Sequence, residues 1–213
     1  VLTLEEARKL LDLVIGPEDL VAKVPEFKFG GKEVLLAANG LSSIPPLPPK
    51  EKCLQAKEQN KVLIFRVGRD GSGQEVNLAY LKELFGVLIY STWYLKPPLP
   101  FALEPLSVGW ALADLDPLPG STEKTYEEQV AFAQEKGTRL KSPVADAYDL
   151  LVTYKVTGKF YRGSPINGRT GAVVSQDPVK ISHFDKAGMC ISTGWGPTVK
   201  SGEIGATTEL ILP

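Results

Sequence analysis

Few side chains in this sequence can carry out covalent or metal chemistry. The 213 residues include one histidine, His183, and two cysteines, Cys53 and Cys190. One imidazole cannot build a multi-histidine site, and the widely separated cysteines form no zinc-binding motif. Asp114 and Asp116 point to one side of a predicted strand, but two carboxylates are too few for calcium without further ligands, so we interpret them as solvated strand-end residues. We therefore expect no metal and no cofactor, since complete Walker and dinucleotide-binding motifs are also absent from the sequence.

One pair of residues could form a catalytic thiol site. If Lys186 and Ala187 make a two-residue hairpin turn, His183 lies directly opposite Cys190, with Cβ atoms about 5 Å apart. A thiol within reach of an imidazole can act as a nucleophile, which makes a thiol-dependent enzyme the alternative functional hypothesis. Our preferred interpretation is a small cysteine packed beside a half-exposed histidine.

A loop near the C-terminus has the composition of a recognition surface. Residues 192–202 read STGWGPTVKSG, in which the glycines free the backbone and Pro197 stiffens it. Trp195 offers a large aromatic surface that is costly to leave in water without a partner. We predict Trp195 and Lys200 as contact residues of a non-enzymatic binding or interaction module. In the alternative, Trp195 folds back onto the core and supports stability instead.

Charge and hydropathy limit the class of partner. The chain has 24 basic and 25 acidic side chains and a net charge of −1, which argues against a dedicated nucleic-acid or anionic-membrane surface. The uncharged, largely apolar run at residues 84–95 is shorter than the about 20 residues that a membrane-spanning helix needs. We expect a protein or a small ligand as partner, no nucleic acid and no membrane span. The oligomeric state and the compartment stay open, with the cytoplasm slightly favoured, and the start at Val1 indicates processing or trimming.

Two helices are predicted in the middle of the chain, between residues 125 and 158. Thr125 begins a capping box, and Gly137 stands where a helix commonly ends in the left-handed conformation. Ser142, followed by a proline, begins the second helix. The β-branched run at 152–157 leaves open whether this helix continues or a strand begins early.

Strand signals surround these helices. Apolar runs at 61–67 and 108–115 predict two buried strands, and Asn77 begins a further helix between them. Because closely spaced sequential strands usually pair antiparallel, the predicted fold class is α+β, a mainly antiparallel sheet with packed helices. Shorter strands are predicted at 27–29, 34–36, 87–90, 159–162, 171–175, 179–184, 189–193 and 207–212.

Proline content suggests how the chain is divided. We predict an N-terminal helical appendage with short strands at 1–44, a proline-rich linker at 45–52 and an α+β domain at 53–213. Residues 45–50 should form a surface segment without regular hydrogen bonding, because four prolines in five positions remove backbone donors. Pro45, Pro48 and Lys50 also fit the pattern recognised by SH3-type modules, which is the alternative use of this segment.

The phrase at 137–142, GTRLKS, resembles the G-x-R-L-P-[ST] phrase of C-type-lectin-like domains of the formylglycine-generating-enzyme type, and some bacterial domains of unknown function. The resemblance covers about 20 residues and implies a C-type-lectin-like fold, in which the following helix packs on a twisted antiparallel sheet. The sequence departs from it in two places: Lys141 replaces the usual proline, and Ala145 and Asp146 replace a Glu-Trp pair in the helix. The formylglycine-generating chemistry is not implied, because the family's paired reactive cysteines have no counterpart beside Cys190.

Overall fold

A five-stranded sheet and a four-stranded sheet frame the computed structural model, which describes residues 2–212. The helices in this part of the chain are α1 (Leu4–Leu10), α2 (Pro17–Lys23), α3 (Lys32–Ala38), α4 (Lys50–Glu58), α5 (Leu78–Phe85), α6 (Pro100–Leu103), α7 (Tyr126–Glu135) and α8 (Pro143–Thr157). The strands are β1 (Val14–Ile15), β2 (Val62–Arg66), β3 (Gly109–Ala113), β4 (Thr138–Leu140), β5 (Asn167–Val174), β6 (Asp177–Ile181), β7 (Ile191–Ser192), β8 (Ile204–Ala206) and β9 (Thr208–Leu210).

Both sheets are mostly antiparallel, which confirms the predicted α+β class. The first sheet has the order β1-β2-β3-β9-β4, and the second has the order β7-β6-β5-β8. Only the β1–β2 and β5–β8 pairs are parallel among the described strands. Strand β9 pairs with β4 over three residues but with β3 at one residue pair, Ala113 with Glu209. The first sheet therefore opens between the start of β3 and the end of β9.

Helix α8 lies at the centre of the fold. Its residues 143–153 are all buried, and it packs against α2, α5, α6 and the strands β5 and β6. It runs to Thr157 and is ended by Gly158 in the left-handed conformation, so the β-branched run belongs to the helix. Burial of Val152 and Thr153 in the core overrides the weak helix propensity of that run. No helix within the described residues is long and apolar enough to cross a membrane.

The predicted helix ends are confirmed. Thr125 and Glu128 form the capping box of α7, and Ser142 Oγ accepts a hydrogen bond from the backbone N–H of Ala145 at the start of α8. Asn77 caps α5 in the same way. Gly137 has φ +69°, a conformation that a Cβ atom disfavours. These ends are local features, which is why the sequence alone predicts them.

Several short strand predictions are wrong. Residues 25–27 form a 3-10 turn, and 34–36 lie inside α3, because a short apolar run fits a buried helix face as well as a strand. Residues 86–88 form another 3-10 turn, with a single bridge at Ile89. At 159–162 the chain is irregular, and Arg162 has φ +63°.

The N-terminal segment shares its core with the rest of the chain. Strand β1 pairs with β2 in the first sheet, and Ile15, Leu20 and Phe27 belong to the same buried cluster as the apolar residues of α8. Phe27 stacks on Tyr148 with ring centroids 5.7 Å apart. Residues 2–44, expected as an appendage, are thus packed into the common core.

The proline-rich segment lies against the first sheet. Residues 45–49 have no regular secondary structure, as predicted, and Lys50 begins α4. Trp110 Nε1 donates a hydrogen bond to the Pro45 carbonyl oxygen at 3.0 Å, and Pro48 is buried. The expected linker is therefore held against β3 at Pro45 and continues directly into α4.

Candidate functional site

Charged side chains form a continuous chain of ion pairs through the core. Their charges alternate from the second sheet to the surface: Arg162, Asp146, Lys141, Asp149, Arg66, Glu209 and Arg139. All except Arg139 are buried. Each interior charge has at least one partner of opposite sign, which is the condition under which charges are tolerated in a protein interior.

The inner half of this chain is centred on Lys141. Its Nζ lies 2.7 Å from Asp146 Oδ1 and 3.1 Å from Asp149 Oδ2, and it donates to the Asp114 carbonyl oxygen at 2.6 Å. Arg162 binds both oxygens of Asp146, at 2.6 and 2.7 Å. Burial alone would raise the pKa of Asp146, but the charges of Arg162 and Lys141 and their hydrogen bonds lower it to about 2.

The outer half leads from α8 to the surface through Arg66, at the end of β2. Arg66 donates to both oxygens of Asp149, at 2.9 and 2.7 Å, and its Nη1 donates to Glu209 Oε2. Burial opposes ionisation of Glu209, yet the charges and hydrogen bonds of Arg66 and Arg139 hold its pKa below the usual value. Glu209 is therefore ionised near neutral pH, and each of its two oxygens accepts from an arginine.

Arg139 is the point at which the chain of ion pairs reaches solvent. It lies directly across from Glu209 in the β4–β9 ladder, and its Nε donates to Glu209 Oε1 at 2.9 Å. The side chain is 67% exposed, and its Nη1 and Nη2 have no hydrogen-bond partner within residues 2–212. Glu209 therefore orients the guanidinium and leaves the two terminal nitrogens free to bind a ligand.

A cleft of about 370 Å³ lies beside Arg139. Its floor and walls come from β4, β9, the start of α8, the bulged part of β5 and the segment after α6. The lining residues are Arg66, Glu104, Pro105, Leu106, Ser107, Arg139, Leu140, Ser142, Pro143, Ala145, Gly171, Ala172 and Glu209. Pockets of this size with a few fixed polar groups are typical of small-ligand sites.

The predicted pair of aspartates is divided between core and surface. Asp114 is buried and accepts from Lys61 Nζ at 2.7 Å and from the backbone N–H of Thr208 at 3.0 Å, whereas Asp116 is exposed. Burial raises the pKa of Asp114 and lowers that of Lys61. Within the described residues no group of three potential metal ligands comes together. Asp114 is thus a structural carboxylate with one lysine partner.

The structure places His183 and Cys190 one residue out of the expected register. The two-residue turn is present, since Asp185 bridges Gly188, but Ser182 pairs with Cys190 through two hydrogen bonds. The irregularity lies between Ser182 and Asp185. His183 Nε2 is 3.8 Å from Asp185 Oδ2, and Cys190 Sγ faces the Ile191 carbonyl oxygen at 3.7 Å. The predicted cross-strand position of His183 is therefore wrong.

Trp195 and Lys200 lie on a loop that the structure holds from inside. The buried guanidinium of Arg169 donates to the carbonyl oxygens of Gly196 and Val199, both at 3.0 Å. Trp195 is half-buried, and its ring lies 5.0 Å from Lys180 Nζ. Lys200 is exposed and forms an ion pair of 2.8 Å with Glu128 on α7. Neither predicted contact residue lines the cleft beside Arg139.

Sequence reasoning missed Arg139 and Glu209 as site residues. The available signal was weak: each is a charged residue in a short strand, and only the fold makes them cross-strand neighbours. Comparison with protein-family models, with curated proteins and with solved structures found no match. The geometry of the site therefore carries the functional argument.

Proposed function

We propose that this protein is a non-enzymatic binding module whose ligand presents an anionic group to Arg139 in the cleft. The observation that carries this proposal is the free end of the Arg139 guanidinium, held at the rim of a cleft by its Nε hydrogen bond to Glu209. A carboxylate or phosphate fits two parallel N–H donors in one plane. Because Glu209 already accepts from two arginines, it does not compete for the remaining donors.

The chemistry of the cleft supports binding more than catalysis. Its lining holds no histidine or cysteine among the described residues, and Ser142 Oγ is occupied as a helix cap. A general base needs a group that can accept a proton near neutral pH, whereas Glu209 has a lowered pKa and two arginine partners. The alternative, a thiol-dependent enzyme using Cys190 and His183, has less support because Ser182 occupies the position opposite the cysteine.

We propose a C-type-lectin-like fold for the scaffold. The phrase at 137–142 leads directly into α8, which packs on β5 and β6, in the order that the resemblance implies. The two departures from the phrase are partners: Lys141 Nζ lies 2.7 Å from Asp146 Oδ1. The ion pair shows that both departing residues are accommodated at the start of α8.

Hexanoate and inorganic phosphate are suitable probes for the cleft. We expect hexanoate to bind saturably at about 1 mM, the affinity that a ligand of this size reaches with one good anionic contact. Two-dimensional NMR should show the shifts concentrated at residues 139–145 and 171–172. Phosphate binding with the same shifts would identify an anion site that does not require the carbon chain.

The matched variants are Arg139→Gln and Arg69→Gln. Both arginines are exposed and paired with a glutamate, Arg69 with exposed Glu75 at 2.8 Å and Arg139 with buried Glu209. Glu209 keeps Arg66 as a partner in Arg139→Gln, so both variants should leave the fold intact. Arg139→Gln should weaken hexanoate binding at least tenfold, because a hydrogen bond to a charged group contributes about 1.5–3 kcal/mol. Arg69→Gln should not change it. Unchanged binding in Arg139→Gln, or no binding of either anion to the native protein, would contradict the proposal.

A further inference from the structure

An apolar groove continues from the cleft along the edge of the second sheet. It has a volume of about 600 Å³ and shares Glu104 and Ala172 with the cleft. Leu103 and Val173 line it and are 50% and 49% exposed. The remaining walls are apolar, from Leu99, Pro100, Phe101 and Val174. Exposed apolar surface that adjoins a polar cleft is typical of a ligand site rather than of solvated surface.

The groove follows an open strand edge. Strand β8 pairs with β5 only at residues 167–169, so 172–174 have β6 on one side and no strand on the other within the described chain. The β5–β6 turn has two residues, Ser175 and Gln176, both with positive φ, and Val174 pairs with Asp177. In such a hairpin the closing pair is hydrogen-bonded and the next pair, Val173 with Pro178, is not. The N–H and C=O of Val173 therefore point away from β6, towards the open edge.

Three features thus adjoin one another through the shared lining residues Glu104 and Ala172: a free guanidinium end, an open strand edge and an apolar groove. We propose that this surface binds the C-terminal end of an extended peptide. Its carboxylate meets Arg139, and its backbone adds as a strand along residues 172–174. Since the carboxylate lies at the end of the groove nearest Gly171, the peptide runs antiparallel to β5. This inference rests on the proposed function and names the class of ligand.

The geometry also determines which peptides fit. Side chains alternate between the two faces of an extended strand, so every second side chain before the C-terminus enters the apolar groove. Glu104 lies at the junction of cleft and groove, where its carboxylate accepts from a peptide N–H and repels a second acidic group. The preferred ligand has apolar residues among its last four and no acidic side chain there. A fatty carboxylate cannot use the strand edge, which is why we favour a peptide.

The experiment uses a fluorescein-labelled pool of hexapeptides whose last four positions are random mixtures of Ala, Val, Leu and Phe. Fluorescence polarisation should show saturable binding of the pool with a free carboxylate and at least tenfold weaker binding of the amidated pool. Two further peptides each carry one N-methyl group, placed on one or the other of two successive backbone amides. One N-methyl group should weaken binding and the other should be tolerated, because only alternate amides face β5. Equal binding of acid and amide, or tolerance of both N-methyl groups, would overturn the inference.

Protein variants locate the site. Val173→Asp and Leu103→Asp should each reduce binding at least tenfold, whereas Val87→Asp, the same change at a valine that is 83% exposed outside the groove, should not. Retained binding in both groove variants would overturn the inference. If hexanoate binds in an Arg139-dependent way but the peptides do not bind, the peptide inference is refuted and the proposed anion site is retained. If neither hexanoate nor the peptides bind, the proposed function is refuted as well.

Discussion

Replacing Lys141 by methionine tests whether the buried charges act as a connected network. Methionine keeps the length of the side chain but removes the Nζ that contacts Asp146, Asp149 and the Asp114 carbonyl oxygen at 2.6–3.1 Å. Three buried carboxylates then face two buried cations along the chain from Arg162 to Glu209. Loss of one partner of a buried ion pair costs about 3–5 kcal/mol, because the remaining charge stays out of water.

Urea and thermal denaturation measure this cost. For a chain of this size each kcal/mol shifts the midpoint by about 2–4 °C, so the expected fall in Tm is about 6–20 °C. Lys57→Met is the matched control, since Lys57 is an exposed lysine on α4, and it should change the free energy of unfolding by no more than about 0.5 kcal/mol.

A double variant separates the network from simple packing. Lys141→Met with Asp146→Asn removes one charge of each sign and restores neutrality in the buried chain of ion pairs. Its loss of stability should be at least about 1 kcal/mol smaller than the sum of the two single losses, the range measured for residues in one network. A cost below about 1 kcal/mol for Lys141→Met, or strict additivity in the double variant, would refute this reasoning.

Two further outcomes follow from the same structure. The pKa of Asp146 falls from 3.8 to about 2 on folding, so its contribution to the free energy of unfolding is fully present above about pH 4 and is lost as the pH falls through 2. The difference in unfolding free energy between the native protein and Asp146→Asn should therefore narrow by about 2 kcal/mol in acid. A difference that does not change with pH would contradict this. Trp195→Ala should cost about 1–2 kcal/mol, less than the about 3–5 kcal/mol of a fully buried tryptophan, because the ring is half-buried over Lys180.

Local signals in the sequence determined the helix ends and the fold class. Thr125, Gly137 and Ser142 act through hydrogen bonds and backbone conformations within a few residues, so their effect does not depend on the rest of the fold. Long apolar runs likewise indicated β2 and β3. Short runs such as 34–36 carried no such information, because burial alone does not distinguish one turn of helix from a strand.

Tertiary structure alone decided the site. Arg66 meets Asp149 across 83 positions of sequence and Glu209 across 143, and Arg139 meets Glu209 across 70. From the sequence alone, a charged residue in an apolar strand is predicted to face solvent. In the fold it can be buried, because a partner of opposite charge offsets its desolvation. The slip that places Ser182 rather than His183 opposite Cys190 has the same character, since one extra residue in a strand changes every pairing beyond it. Pairing between distant strands, which no local pattern encodes, therefore determines which side chains meet in the cleft.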